Sequence, residues 1–272
     1  MKTTKSEDGT TLAYDELGAG PPLVLVDGAF CRRAFGPMPA LAAELAKSFT
    51  VFHYDRRGRG DSGDTKPYAV EREVEDLAAV VAKATVGGAV FMYGISSGAA
   101  LALRGAASGL PVKKLVVYEP PFMLDGKATP NPPDFRAQID AMLAEGKRGE
   151  AVKLFMKVIG VPAAAIFFMR LMPNVWPKLR AVAHTLPYDF AVLGDSQTGK
   201  ALPAELVEKL ESIDAKTLSM AGSKSPEWMH HAAKKVAETI PGGAFRVVPG
   251  QDHNVSAKAM APLLSEFFST SS

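Results

Sequence analysis

The chain has 272 residues, with 31 Lys and Arg against 29 Asp and Glu for a formal net charge of +2, and is 47% hydrophobic and 22% charged. That composition excludes disordered, collagen-like and low-complexity classes. The cations are scattered apart from a short Arg56, Arg57, Arg59 cluster, so no nucleic-acid partner is implied.

The length suits one α/β domain carrying an inserted subdomain. A single cysteine, Cys31, permits no internal disulfide and supplies no metal framework. Met1 to Asp8 is polar, and Pro, Gly, Arg or Lys break every apolar run well before about 18 residues, so neither an export signal nor a membrane span is expected. A cytoplasmic location is the default expectation.

After the turn signal Asp8-Gly9, Thr10 to Leu17 reads as a short hairpin-type strand. Leu23 to Val26, Thr50 to Tyr54, Ala89 to Tyr93 and Lys114 to Tyr118 are short apolar runs of the kind buried on both faces. Between them, Pro39 to Lys47, Val70 to Ala84 and Ser97 to Ala107 carry helical spacing. This alternation predicts an α/β fold, a mostly parallel sheet flanked by helices. From about Leu124 to Gly199 the pattern becomes Pro-punctuated and helical, over Phe135 to Glu145, Gly149 to Ile159, Ala163 to Met172 and Lys178 to His184. A strand then returns at Thr217 to Ala221, followed by a helix from Pro226 to Ile240, a strand from Phe245 to Val248 and a helix near Ala257 to Phe268. The expected organisation is a core in two parts, residues 1–123 and 201–272, with a helical lid over residues 124–200.

Gly94-Ile95-Ser96-Ser97-Gly98 is the most informative stretch. A buried strand runs into it, a helix begins near Ser97, and Ser96 falls in the turn between them. Such a turn passes close to adjacent strands and needs small residues two before and two after the serine, which Gly94 and Gly98 supply. The bend exposes the hydroxyl at the carboxyl edge of the sheet, where N–H groups at the helix start face developing negative charge. Ser96 is the candidate nucleophile, weighed against a simple glycine-rich turn and against Ser97, one residue past the apex.

A serine hydroxyl needs a base to become a nucleophile. Of the five histidines, His53 lies in an apolar strand and reads as packed. His230 and His231 share a partly solvated helix, and His184 belongs to the inserted segment. His253 follows the last strand, at the edge where Ser96 is expected, and is the candidate base.

These motifs make the chain resemble the α/β-hydrolase superfamily, specifically its capped serine hydrolases of esterase and lipase type. The resemblance spans nearly the whole length. It rests on Val26-Asp27-Gly28-Ala29-Phe30, on Tyr54 to Ser62, on Gly94 to Gly98 and on His253. It implies an α/β-hydrolase fold and an oxyanion hole formed by the backbone N–H groups of Ala29 and Ser97.

Two departures stand out. A His-Gly pair usually opens the oxyanion loop, whereas this chain has Asp27-Gly28; the Asp27 carboxylate is expected to turn away and bond the loop backbone. Relatives usually place an acid after the next-to-last strand, where this chain has Ser225. Glu119, directly after the strand that ends at Tyr118, lies at the same sheet edge and is the expected triad acid, with Glu227 the next choice. The charges from Arg56 to Asp61 are read as bonding neighbouring turns. Phe30, Tyr118, Phe155, Phe168, Met172, Trp176 and His184 are the expected pocket residues.

The resemblance implies a serine hydrolase that needs no cofactor or metal and cleaves an ester, thioester or lactone of a small apolar substrate. A non-catalytic ligand-binding protein on the same scaffold, and a C–C bond hydrolase or cofactor-free haloperoxidase using the same triad, stay open. Dehalogenase and epoxide hydrolase chemistry are disfavoured, because those relatives carry Asp where this chain has Ser96.

Overall fold

A computed structural model describes residues 1–85 and 88–270. One sheet contains β1 (Lys2–Lys5), β2 (Thr11–Leu17), β3 (Pro22–Val26), β4 (Thr50–Tyr54), β5 (Val90–Ile95), β6 (Val112–Tyr118), β7 (Lys216–Gly222) and β8 (Ala244–Val248). Its order is β1-β2-β4-β3-β5-β6-β7-β8. β1 and β2 form an antiparallel margin, and β3 to β8 run parallel.

The two-residue period of the central strands sorts their side chains between two cores. Val24, Val26, Met92, Leu115 and Val117 face one side. They meet α2 (Val70–Ala84), α3 (Ser97–Ala107) and α10 (Glu227–Thr239). Leu23, Leu25, Tyr93, Ile95 and Val116 face the other, against α1 (Met38–Leu45) and α11 (Ala257–Ser269). Burial on both faces explains why these strands read as unbroken apolar runs. Because β3 leads through α1 to β4 on one side and β5 leads through α3 to β6 on the other, the order of winding reverses between these neighbouring parallel strands. Such a switch point, beyond the carboxyl ends of the strands, is where α/β sheets generally form a crevice.

Between β6 and β7 the chain forms α4 (Phe135–Ala144), α5 (Arg148–Val158), α6 (Ala163–Leu171), α7 (Trp176–Val182), a 3-10 turn (Ala183–Thr185), α8 (Leu186–Leu193) and α9 (Ala204–Glu211). Phe135, Ile139, Val152, Leu179, Val182, Leu186 and Phe190 from this segment pack with Phe30 of the sheet domain as a third apolar cluster. Among the described residues, no helix is long and apolar enough to cross a membrane.

Three elements escaped the sequence reading. β1 has only one buried residue of four, so it lacks an apolar signal and exists by pairing with β2. α8 carries Pro187 in its first turn, a position helices tolerate, and the proline reads as a break. α9 follows Pro203 and buries only Leu206 and Leu210, one turn apart.

A Cβ added at Gly98 would lie 2.3 Å from the Val26 carbonyl oxygen and 2.4 Å from that of Asp27. Both are main-chain atoms at the end of a central strand, with little room to move. Gly98→Ala is therefore expected to lower stability by about 1–3 kcal/mol, read as an earlier midpoint in urea unfolding. Gly88→Ala, where the added carbon meets nothing within 4 Å, serves as the control and should leave the midpoint unchanged.

Candidate active site

Ser96 joins β5 to α3 with φ 56° and ψ −129°, a left-handed conformation that a side chain adopts only under constraint. The constraint is visible in its neighbours. A Cβ at Gly94 would meet the Gly98 carbonyl oxygen at 2.5 Å, and one at Gly28 would meet Ser96 Cβ at 2.9 Å. The Gly28 backbone therefore runs directly alongside the serine. Ser96 is half-buried, and its own N–H donates to the Tyr118 carbonyl at 2.9 Å. The N–H groups of Ala29 and Ser97 have no hydrogen-bond partner among the described residues. They are two unspent donors on either side of this turn.

Glu119 follows β6 with φ 48° and is fully buried. Its Oε2 lies 2.7 Å from Nδ1 of His253, and its Oε1 accepts the Gly222 N–H at 2.7 Å. Burial opposes the charge on this carboxylate, but His253, Ser225 and the Gly222 N–H outweigh it and lower its pKa below the ordinary carboxylate value. An ionised Glu119 requires Nδ1 to carry the proton, which leaves Nε2 as the basic nitrogen. The Ser225 hydroxyl stands beside the acid without reaching full hydrogen-bond geometry to any neighbour. Among the described residues, no hydrogen bond joins Ser96 Oγ to His253.

Tyr118 corrects an expectation. It is fully buried in the core rather than lining a pocket, and its hydroxyl donates to the Asp252 carbonyl at 2.6 Å, bracing the loop that carries His253. The Asp27 carboxylate does turn from the crevice, but its partner is not the loop backbone. Oδ2 lies 2.7 Å from His53 Nε2, with both side chains buried in the sheet. His184 is apart from this group; it lines an open surface cavity of about 710 Å³ with Arg32, Arg33 and Asp61, and none of Ser96, Glu119 and His253 borders that cavity. Phe30 meets Phe155 edge to face at 5.2 Å, and Trp176 joins the same apolar cluster. Phe168 and Met172 are 63% and 50% exposed at the end of α6, outside that packed cluster.

Beneath the crevice lies a buried charge cluster. Arg56 pairs with Glu73 through two hydrogen bonds of 2.8 Å. Arg56 and Arg59 both bond Asp189 of α8, at 2.9 Å and at 2.7 and 2.8 Å. Asp189 also accepts the Ser97 hydroxyl at 2.7 Å. Burial works against its charge, yet the two guanidinium groups hold its pKa below the ordinary value. Arg57 pairs with Asp76 and Asp8. The arginines thus bond side chains on α2 and α8 as well as the turn at Asp8, rather than neighbouring turns alone, and the part played by Asp189 has no sequence signal, because the proline in α8 hides that helix.

A family model described as the alpha/beta hydrolase family matches residues 18–264. The chain belongs to this family. It is similar to an alpha/beta hydrolase from Sphaerobacter thermophilus, with 50% identity over 98% of this chain and 100% of the other and a TM-score of 0.89. A thermophilic esterase from Thermogutta terrifontis has the same fold at 22% identity, over 98% of this chain and 96% of the other, with a TM-score of 0.68. So does an enol-lactonase from Burkholderia xenovorans, at 20% identity over 99% and 100% of the two chains and a TM-score of 0.70.

The Glu119 environment has a consequence for stability. A carboxyl that titrates lower in the folded chain than in the unfolded one contributes stability above its ordinary pKa of 4.5, and that contribution is lost as pH falls through the lower folded value. The melting temperature of the wild type should therefore fall more steeply between about pH 5 and pH 3 than that of Glu119→Gln, measured by thermal melts across that range.

Proposed function

We propose that the protein is a serine hydrolase that cleaves the ester, thioester or lactone bond of a small apolar substrate through an acyl-enzyme at Ser96. The observation that carries this reading is the 2.7 Å contact between buried Glu119 and His253, on the sheet edge that also presents Ser96 in its constrained turn. In the proposed reaction Ser96 Oγ attacks the carbonyl carbon while His253 Nε2 takes its proton. The tetrahedral oxyanion is received by the free N–H groups of Ala29 and Ser97. Collapse of the intermediate breaks the bond to the leaving group, which takes the proton from Nε2. Water then attacks the acyl-enzyme with His253 again as base, releasing the acid and restoring Ser96. Throughout, Glu119 holds the tautomer and stabilises the imidazolium. That no hydrogen bond joins Ser96 Oγ to His253 among the described residues fits this scheme, because such contacts commonly tighten only when substrate is bound.

Residues 124–200 are proposed to act as the lid. Phe30, Phe155 and Trp176 supply an apolar wall, and Phe168 and Met172 are exposed apolar side chains of the same segment that an acyl group could use. An esterase and an enol-lactonase among the structural neighbours are consistent with carbonyl chemistry on this fold.

Ser96→Ala and His253→Ala are each expected to lower turnover of activated aryl esters by at least about 10³-fold. Glu119→Gln should lower it by a factor approaching about 10⁴ while leaving KM close to wild type. A fluorophosphonate should label wild type and not Ser96→Ala; an unlabelled, inactive wild type would instead indicate the ligand-binding alternative. Exchanging the segment from Phe155 to Trp176 for that of a relative should shift acyl-chain preference across a graded ester series. It should change the rate on a small acetyl ester far less, and an unchanged preference would make the segment mere packing.

A further inference from the structure

We propose that Asp189, on α8 of the inserted segment, is a positioning residue that sets the spacing and direction of the two oxyanion-binding N–H groups. The inference rests on the reading of Ser96 as nucleophile with Ala29 and Ser97 as donors.

Those donors belong to different loops. One follows β3 and the other opens α3, and no covalent link fixes the distance between them. Two donors serve one oxygen only if each sits about 2.7–3.1 Å from it, which leaves little tolerance in their separation. A single buried carboxylate spans the gap. Its Oδ1 accepts the Ser97 hydroxyl at 2.7 Å, which holds the first residue of α3. Both of its oxygens accept from Nη2 of Arg59, and Nη1 of Arg59 donates to the Gly28 carbonyl at 2.6 Å.

That carbonyl and the Ala29 N–H are the two ends of one planar peptide group and point in opposite directions. Drawing the Gly28 oxygen toward Arg59 therefore aims the Ala29 N–H the other way. Arg56 adds a second strut, with Nη1 donating to the Asp27 carbonyl at 3.2 Å and to Asp189 at 2.9 Å. Asp189 is the one carboxylate in ion-pair contact with Arg59 among the described residues. Without it, a buried guanidinium would be left unbalanced against the oxyanion loop, and Ser97 would keep only its longer 3.3 Å contact from Arg56. The inserted segment is on this account part of the catalytic frame as well as a cover.

The test compares Asp189→Asn, Ser97→Ala and Tyr68→Phe with wild type, on one aryl ester and with an alkyl boronic acid as tetrahedral analogue. Tyr68 is the control because its hydroxyl bonds the Tyr188 carbonyl of the same helix and Glu73 without touching Asp189 or either donor loop, and Glu73 keeps both of its hydrogen bonds to Arg56 when that hydroxyl is removed. Asp189→Asn should lower kcat by about 10²-fold with KM within about twofold, comparable to loss of one oxyanion donor. Boronic acid affinity should fall in parallel, because the analogue occupies the oxyanion site and the ground-state ester does not depend on it. Ser97→Ala cuts only one tether and should lower kcat by about tenfold; it decides the matter if Asp189→Asn does not fold. Tyr68→Phe should lower the melting temperature and leave kcat unchanged.

Wild-type kcat in Ser97→Ala, or in a folded Asp189→Asn, overturns the proposal. So does a fall in kcat for Tyr68→Phe equal to that of Asp189→Asn, which would reduce Asp189 to anchoring the helix. If instead the wild type neither turns over esters nor reacts with fluorophosphonate, the serine-hydrolase reading itself fails, a result distinct from either of these.

Discussion

Three arginines within four residues, Arg56, Arg57 and Arg59, are buried almost completely, and much of the architecture follows from balancing them. Removing a guanidinium from water costs several kcal/mol unless a carboxylate and further acceptors meet it. α2 answers with Glu73 and Asp76, the N-terminal turn with Asp8, and the inserted segment with Asp189. Ion pairs of this kind seldom add much net stability over an apolar core. Their effect is to select one arrangement, because a carboxylate accepts charged donors in few geometries. The loop after β4 thereby registers a helix from each half of the chain against the end of β3.

The carboxylate that faces His253 comes from the end of β6, and the loop after β7 contributes a neutral hydroxyl. Both strands finish at the same edge, so either can reach the imidazole. Placing the charge on β6 changes what surrounds it. Glu119 sits in a left-handed conformation one residue past the strand, fully buried, with the Gly222 N–H from the neighbouring strand on its second oxygen. Desolvation is then offset by one hydrogen bond from the sheet, the Gly222 N–H, and one from the His253 ring. The carboxylate is carried by a strand end rather than by a surface loop.

The sheet and the turn at Ser96 were legible in the sequence because both are local signals. Central strands announce themselves as apolar runs, and the glycines flanking Ser96 mark close backbone approach within five residues. His253 and Glu119 could be assigned to the same edge because every parallel strand ends there. Other features depend on partners far along the chain. Asp189 is 130 positions from Arg59 and lies on a helix whose first turn contains a proline. The choice of His53 as partner for Asp27 is settled by how neighbouring strands stack. No periodicity encodes that.

Tyr118 and Glu119 are consecutive, and both grip the loop after β8, one through the Asp252 carbonyl and the other through the His253 ring. The terminal part of the chain, from β7 onward, supplies the imidazole, the Gly222 N–H and the Asp252 carbonyl, while the carboxylate and the phenol that meet them are encoded upstream. In evolutionary terms this couples two distant stretches of the gene. The loop after β7 is tied to the loop that carries His253, through Ser223 to Val248, Lys224 to Gln251 and Gly250 to Ser223, so an insertion there would displace the imidazole from a carboxylate encoded 134 positions upstream.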